Sequence, residues 1–191
     1  VPRLATFAGS RGFGRGFVAI SAGNFELIET ALVGAGGQSS ITFSNLNAYS
    51  TTYQHLQIRY TARSSRISAD PMIIRVNNTT QSASHHLFGD ASSVNDGAGG
   101  TSYAVLFAMA GTNLPSSAFG AGIIEIPDAY ETTKNKHIRA FAGAPGEATS
   151  FDTTFWPVTA AINTLQLSTF SGTNFVNGSR FSIYGLRSTN A

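Results

Sequence analysis

Between Phe25 and Arg63 the chain reads FELIETALVGAGGQSSITFSNLNAYSTTYQHLQIRYTAR, three apolar runs separated by short turns of Gly, Ser, Asn and Tyr. In the last run Leu56, Ile58, Tyr60 and Ala62 share one parity, and Gln57, Arg59, Thr61 and Arg63 share the other. Such a period of two places alternate side chains on opposite faces of a half-buried antiparallel strand. The same grammar continues at 72–76, 82–88, 123–126, 136–141, 151–156, 165–168 and 180–186, with an earlier run at 17–21. Residues 103–109 are apolar on both parities, as in a strand covered on both faces. Asn77-Asn78 reads as a turn pair. Residues 90–102, DASSVNDGAGGTS, carry no apolar period and read as a long loop. A short helical turn over 127–133 would be suited by Asp128 and Glu131 in its first turn. The pattern predicts an all-β protein of about ten to twelve strands, an antiparallel sandwich or jelly roll.

The N-terminal stretch AGSRGFGRGF differs in kind, interleaving Gly with Arg11, Phe13, Arg15 and Phe17. Glycine there opposes an independent strand, while arginine and aromatic side chains anchor interfaces well. Residues 1–22 read as an extended arm reaching a neighbouring subunit, or alternatively as a disordered tail, ahead of a single sandwich domain over 23–191.

Composition narrows the picture. The chain has 191 residues and no cysteine, so a core of useful size forms without disulfides, and thiolate metal sites are excluded. Only 12% of residues are charged, about half the ~25% usual for a soluble domain. Interface centres are depleted of charge, so an obligate assembly is expected, the alternative being a monomer with a neutral Ser/Thr surface. A net charge of +2 is too small to imply a polyanion such as nucleic acid. No apolar stretch is long enough for a membrane-spanning helix, and no signal-peptide h-region follows the N-terminal arginines.

Candidate chemistry is sparse. Glu26 and Glu29 stand three apart, on opposite faces of a regular strand. Asp90, Asn95 and Asp96 lack the spacing of a calcium loop, and the adjacent His85 and His86 point to opposite faces, unable to share one ion. Neither a GxSxG elbow nor a phosphate-binding GxxxxGK[ST] loop is present. Arg59, Tyr60, Arg63 and Arg66 come nearest to a nucleic-acid pattern, but alternation turns Tyr60 away from Arg59, and the arginines read as solvated. Trp156 is either a ring for stacking on sugar or a core or interface anchor. No catalytic group, metal or cofactor is assigned.

With the strands placed, the phrases FELIETALVG, ITFSNLNAYSTTYQHLQIRYTAR, MIIRVNN, IEIPDAY, the FW before INTLQLST, and NFVNGSRFSIYGLR resemble jelly-roll virion proteins of tailed bacteriophages, found in tail fibres and in head or tail accessory proteins. The resemblance spans about Phe25 to Arg187, and its most specific pieces are YxHLQIRYTAR and the closing GSxxSIYG. It implies a non-enzymatic, homotrimeric β-sandwich exposed on a virion. The long shaft usual in fibre proteins does not precede the domain in this sequence, which favours a capsid-decorating (cement) protein on the head. In that role Arg11, Phe13, Arg15 and Phe17 would grip the major capsid protein or an adjacent subunit. The alternative is a tail fibre or receptor- or glycan-binding component, using Tyr49, Tyr53, Tyr130 and Trp156.

Overall fold

A computed structural model describes residues 24–79, 83–90, 92–99 and 104–187. The expected strand at 17–21 and the arm residues Arg11, Phe13, Arg15 and Phe17 lie outside the described residues. The described residues form β1 (Phe25–Leu32), β2 (Ser40–Phe43), β3 (His55–Ala62), β4 (Asp70–Val76), β5 (Ala83–Gly89), β6 (Val94–Gly99), β7 (Ala104–Met109), β8 (Gly120–Ile126), β9 (Lys136–Ala144), β10 (Ala148–Trp156), β11 (Leu165–Thr169) and β12 (Arg180–Leu186). One 3-10 turn, Leu46–Tyr49, interrupts them.

Two antiparallel sheets face each other, an eight-stranded one in the order β1-β12-β3-β8-β9-β10-β5-β6 and a four-stranded one in the order β2-β11-β4-β7. The β5–β6 and β9–β10 hairpins both extend the larger sheet. With those two hairpins set aside, the strands alternate between the sheets as β1-β12-β3-β8 against β2-β11-β4-β7. β1 and β12, β2 and β11, β3 and β8, and β4 and β7 are thus antiparallel partners, and the two sheets form a β-sandwich.

The alternation seen in the sequence decides which side chains meet between the sheets. Leu56, Ile58, Tyr60 and Ala62 of β3 are buried, as are Ile124 and Ile126 of β8, Ile138 and Ala140 of β9, and Phe181 and Ile183 of β12. They close on Ile41 and Phe43 of β2, Met72, Ile74 and Val76 of β4, and Leu165 and Leu167 of β11. The Asn77-Asn78 turn is present, with both residues in the left-handed region (φ 49° and 59°) that asparagine tolerates. Asn77 then ties the turn to the strand opposite, its Oδ1 accepting from the N–H groups of Asn163 (2.8 Å) and Thr164 (3.0 Å).

Three expectations are corrected. The stretch 90–102 contains a strand, because β6 pairs with β5 from Gly89↔Val94 to Ser84↔Gly99. Asp90 makes the turn, its Oδ1 accepting from the N–H groups of Ser92 (2.7 Å) and Ser93 (2.8 Å). Glycine suits the strand because the His86 ring lies where a Gly97 Cβ would stand, 2.3 Å away. The segment after β8 is a turn rather than a helix: Asp128 adopts φ 49°, and its N–H donates to His55 Nδ1 at 2.8 Å. Arg63 is not solvated. It is 5% exposed, and its guanidinium donates to the carbonyls of Leu114, Pro115 and Ala118, satisfying a loop that has no strand partner.

Candidate functional site

Two surface features stand out, one a cleft and one a sheet face. The cleft forms at the end of the larger sheet, where β1 begins, β12 ends and β3 starts. The 3-10 turn positions Tyr49, and the N–H groups of Thr52 and Tyr53 donate to the Tyr49 carbonyl at 2.9 and 3.0 Å. That local wrap stacks the rings of Tyr49 and Tyr53 with centroids 6.1 Å apart. The Tyr53 ring lies flat against Gly185, where an added Cβ would stand 2.1 Å from its nearest ring carbon. Tyr53 Oη donates to Glu26 Oε2 at 2.6 Å, and Arg187 approaches that oxygen at 3.5 Å while lying 5.4 Å from the Tyr53 ring centre. Burial, followed by the hydrogen bond to Glu26, raises the Tyr53 phenol above its ordinary pKa.

Tyr130 enters from the turn after β8, which is held by the Ala129 N–H donating to the Gln54 carbonyl at 2.9 Å. Its hydroxyl is buried without a hydrogen-bond partner among the described residues. Desolvation first, then the nearby Tyr49 and Tyr53, raises its pKa. The cleft has a volume of about 530 Å³ and is bounded by residues 50–54, Tyr130, Glu131 and Arg187. Rings, three successive hydroxyl residues (Ser50, Thr51, Thr52) and an acid and a base at the rim make a surface able to bind a neutral polar ligand such as a sugar.

Nearby, His55 Nδ1 lies 3.7 Å from the Asp128 carboxylate. Because the same nitrogen accepts the Asp128 N–H, it carries no proton, and the approach is not an ion pair through that atom. Asp128 is instead held by Gln54 Nε2 (2.7 Å) and Lys134 Nζ (3.1 Å), with Lys134 the first cause of its lowered pKa.

Tyr49, Tyr53 and Tyr130, named from the sequence as candidate glycan or receptor contacts, are thus brought together. Trp156 is not with them. It is fully buried in the core, so its place as a sugar-stacking ring is corrected. The reason is parity: on β10 Trp156 shares the inward face with Ser150, Asp152 and Thr154. Glu26 and Arg187 join the site unannounced, since each stands at a strand end and meets Tyr53 only after β1 pairs with β12.

The second feature is the outer face of the larger sheet. Ile123, Phe141, Phe151 and Leu87 stand side by side in register on β8, β9, β10 and β5. They are 38%, 59%, 51% and 52% exposed, and Val94 at the sheet edge is 76% exposed. A continuous apolar row across four adjacent strands is unlike the scattered single hydrophobes normal on a surface. A signal for it existed: Phe141 and Phe151 fall on the polar parity of their strands, with Arg139 and Thr153. Beyond Ile123 lies Arg59, its guanidinium 4.7 Å from the Phe25 ring centre and 5.6 Å from that of Tyr184, its Nε donating to Gln57 Oε1 at 2.9 Å. Arg139 and Glu125 pair at 2.8 Å beside the row.

Among the described residues no group of three or more His, Asp or Glu side chains is placed to hold a metal ion. Nor is any helix long and apolar enough to cross a membrane. Compared with protein-family models, curated proteins and solved structures, the chain matches none.

Proposed function

We propose that this chain is a non-enzymatic structural protein of a bacteriophage virion, a capsid-decorating subunit at the head surface. The observation that carries this reading is the exposed row Ile123–Phe141–Phe151–Leu87, an apolar face on a rigid sheet in a chain with few charged residues. Such a face favours packing against another protein surface, because burying it removes apolar area from water. Segment 1–22, through Arg11, Phe13, Arg15 and Phe17, is the proposed contact with the major capsid protein or a neighbouring subunit. Several weak contacts made at once hold by effective concentration, so no single strong site is required. The resemblance implies a homotrimer; the charges around the sheet face favour a different symmetry.

Gold-labelled antibody against the chain, imaged on intact virions, tests the location. Gold over heads is the expected result. Gold at the tail would make the protein a fibre or receptor-binding component, and unlabelled particles would remove the virion reading altogether. Deletion of residues 1–20 is expected to leave a folded protein that no longer joins capsids.

A second reading is favoured by the convergence of Tyr49, Tyr53 and Tyr130: the cleft binds a glycan or receptor. Tyr49→Ala and Tyr130→Ala then weaken binding on a glycan array without altering the fold. An array with no hits for the unsubstituted protein sinks this reading.

A further inference from the structure

We infer that the outer face of the larger sheet binds a second copy of this chain, across a twofold axis running close to the strand direction between β9 and β10. The inference rests on reading that face as an assembly surface, and it adds the partner and the symmetry. The cross-strand register sets out one row across six strands: Arg59, Ile123, Phe141, Phe151, Leu87 and Asp96. The row has a cation at one end, an anion at the other, and four apolar side chains between. A twofold axis along the strands, passing between Phe141 and Phe151, lays the row on its own reverse. Arg59 of each copy then faces Asp96 of the other, Ile123 faces Leu87, and Phe141 faces Phe151.

The flanking positions obey the same symmetry. On one side Glu125, Arg139, Thr153 and His85 occupy β8, β9, β10 and β5. The axis sets the Glu125 carboxylate against the His85 imidazole of the second copy, and Arg139 against Thr153. On the other side the facing residues are small, Ala121 against Gly89 and Gly143 against Thr149, so the sheets can close without a clash. No two like charges meet in these rows. A twofold axis along the row instead would face Arg59 with Arg59 and Asp96 with Asp96, and opposed like charges cost several kcal/mol.

Size is adequate as well. Six strands spaced at roughly 4.8 Å, two with three outward residues and four with four, each residue spanning roughly 6.8 Å along its strand, cover about 720 Å². A standard interface takes about 800 Å² per partner. Two twisted sheets stack face to face with their strands nearly aligned, which an axis near the strand direction provides. The stacked Phe25 and Tyr184 rings hold the Arg59 guanidinium at the end of the row.

The test is sedimentation equilibrium on the full chain and four variants, each checked for folding by near-UV circular dichroism. The unsubstituted protein is expected to be a dimer, and Arg59→Glu or Asp96→Lys alone to weaken it at least tenfold, since each places two like-charge pairs in the interface. The double variant Arg59→Glu/Asp96→Lys is expected to recover the dimer, because the facing pairs are again opposite in sign. Phe141→Asp is expected to be a folded monomer. If folded Phe141→Asp associates like the unsubstituted chain, the face does not bind a second copy and the inference falls, while the reading of the face as a virion contact falls only if Phe141→Asp also joins capsids like the unsubstituted chain. If Phe141→Asp disperses the assembly but the double charge swap restores nothing, the face reading stands and the twofold pairing is overturned. A trimer or a monomer for the unsubstituted chain overturns the pairing too.

Discussion

A single missing methyl shapes the cleft. Gly185 lies under the Tyr53 ring so closely that any Cβ there would overlap ring carbons at 2.1 to 2.5 Å. Gly185→Ala is therefore expected to push the ring outward, break the 2.6 Å bond from Tyr53 to Glu26, and cost about 1–3 kcal/mol, as overpacking does. Urea unfolding measures the loss; an unchanged midpoint would mean that the ring moves aside freely. Trp156 makes the opposite case. Truncating this fully buried side chain to Ala is expected to cost about 3–5 kcal/mol by leaving a cavity. Such a variant loses any binding only with its fold, whereas Tyr49→Ala, on a half-exposed ring, separates the two.

At the scale of elements, the β5–β6 hairpin shows how one carboxylate organises a Gly-rich strand. Hydrogen bonds from the Ser92 backbone and hydroxyl, then from the Ser93 backbone, lower the Asp90 pKa to about 2. A carboxyl held below its unfolded value, roughly 3.9, stabilises the turn above that pH and loses this contribution as pH falls toward 2. Protection of the Ser92 and Ser93 amides, measured relative to their intrinsic exchange rates, is accordingly expected to fall between about pH 4 and about pH 2, and to be absent at every pH in Asp90→Ala. Protection that ignores both changes would show that β6 is held by its strand pairing alone. The β9–β10 hairpin has the other consequence at this scale: it extends the sheet and supplies both Phe141 and Phe151.

For the whole molecule, association and stability become one quantity if the outer face pairs. Partner binding to the native state raises apparent stability by mass action. A tenfold rise in protein concentration is expected to raise the Tm of the unsubstituted chain by roughly 1–4 °C. Phe141→Asp is expected to melt at a temperature independent of concentration. Equal behaviour of the two proteins in a concentration series would argue against a stabilising interface on this face.

The β class, most strand positions and the inward parity of Leu56, Ile58, Ile138 and Ala140 were legible in the chain, because a period of two is a local property of consecutive residues. The tyrosines of the cleft were legible as a set but not as a place. Their meeting depends on β1 pairing with β12 and on Tyr53 lying over Gly185, contacts between residues far apart in sequence. Strand β6 was hidden because its glycines carry no apolar period, and only the partner strand β5 makes it a strand. Arg63 looked solvated because alternation ends where its strand ends, and a distant loop needed its donors. The row from Arg59 to Asp96 draws one residue from each of six strands between positions 59 and 151, and only their register aligns them, since cross-strand neighbours are chosen by hydrogen-bond pairing and not by sequence distance.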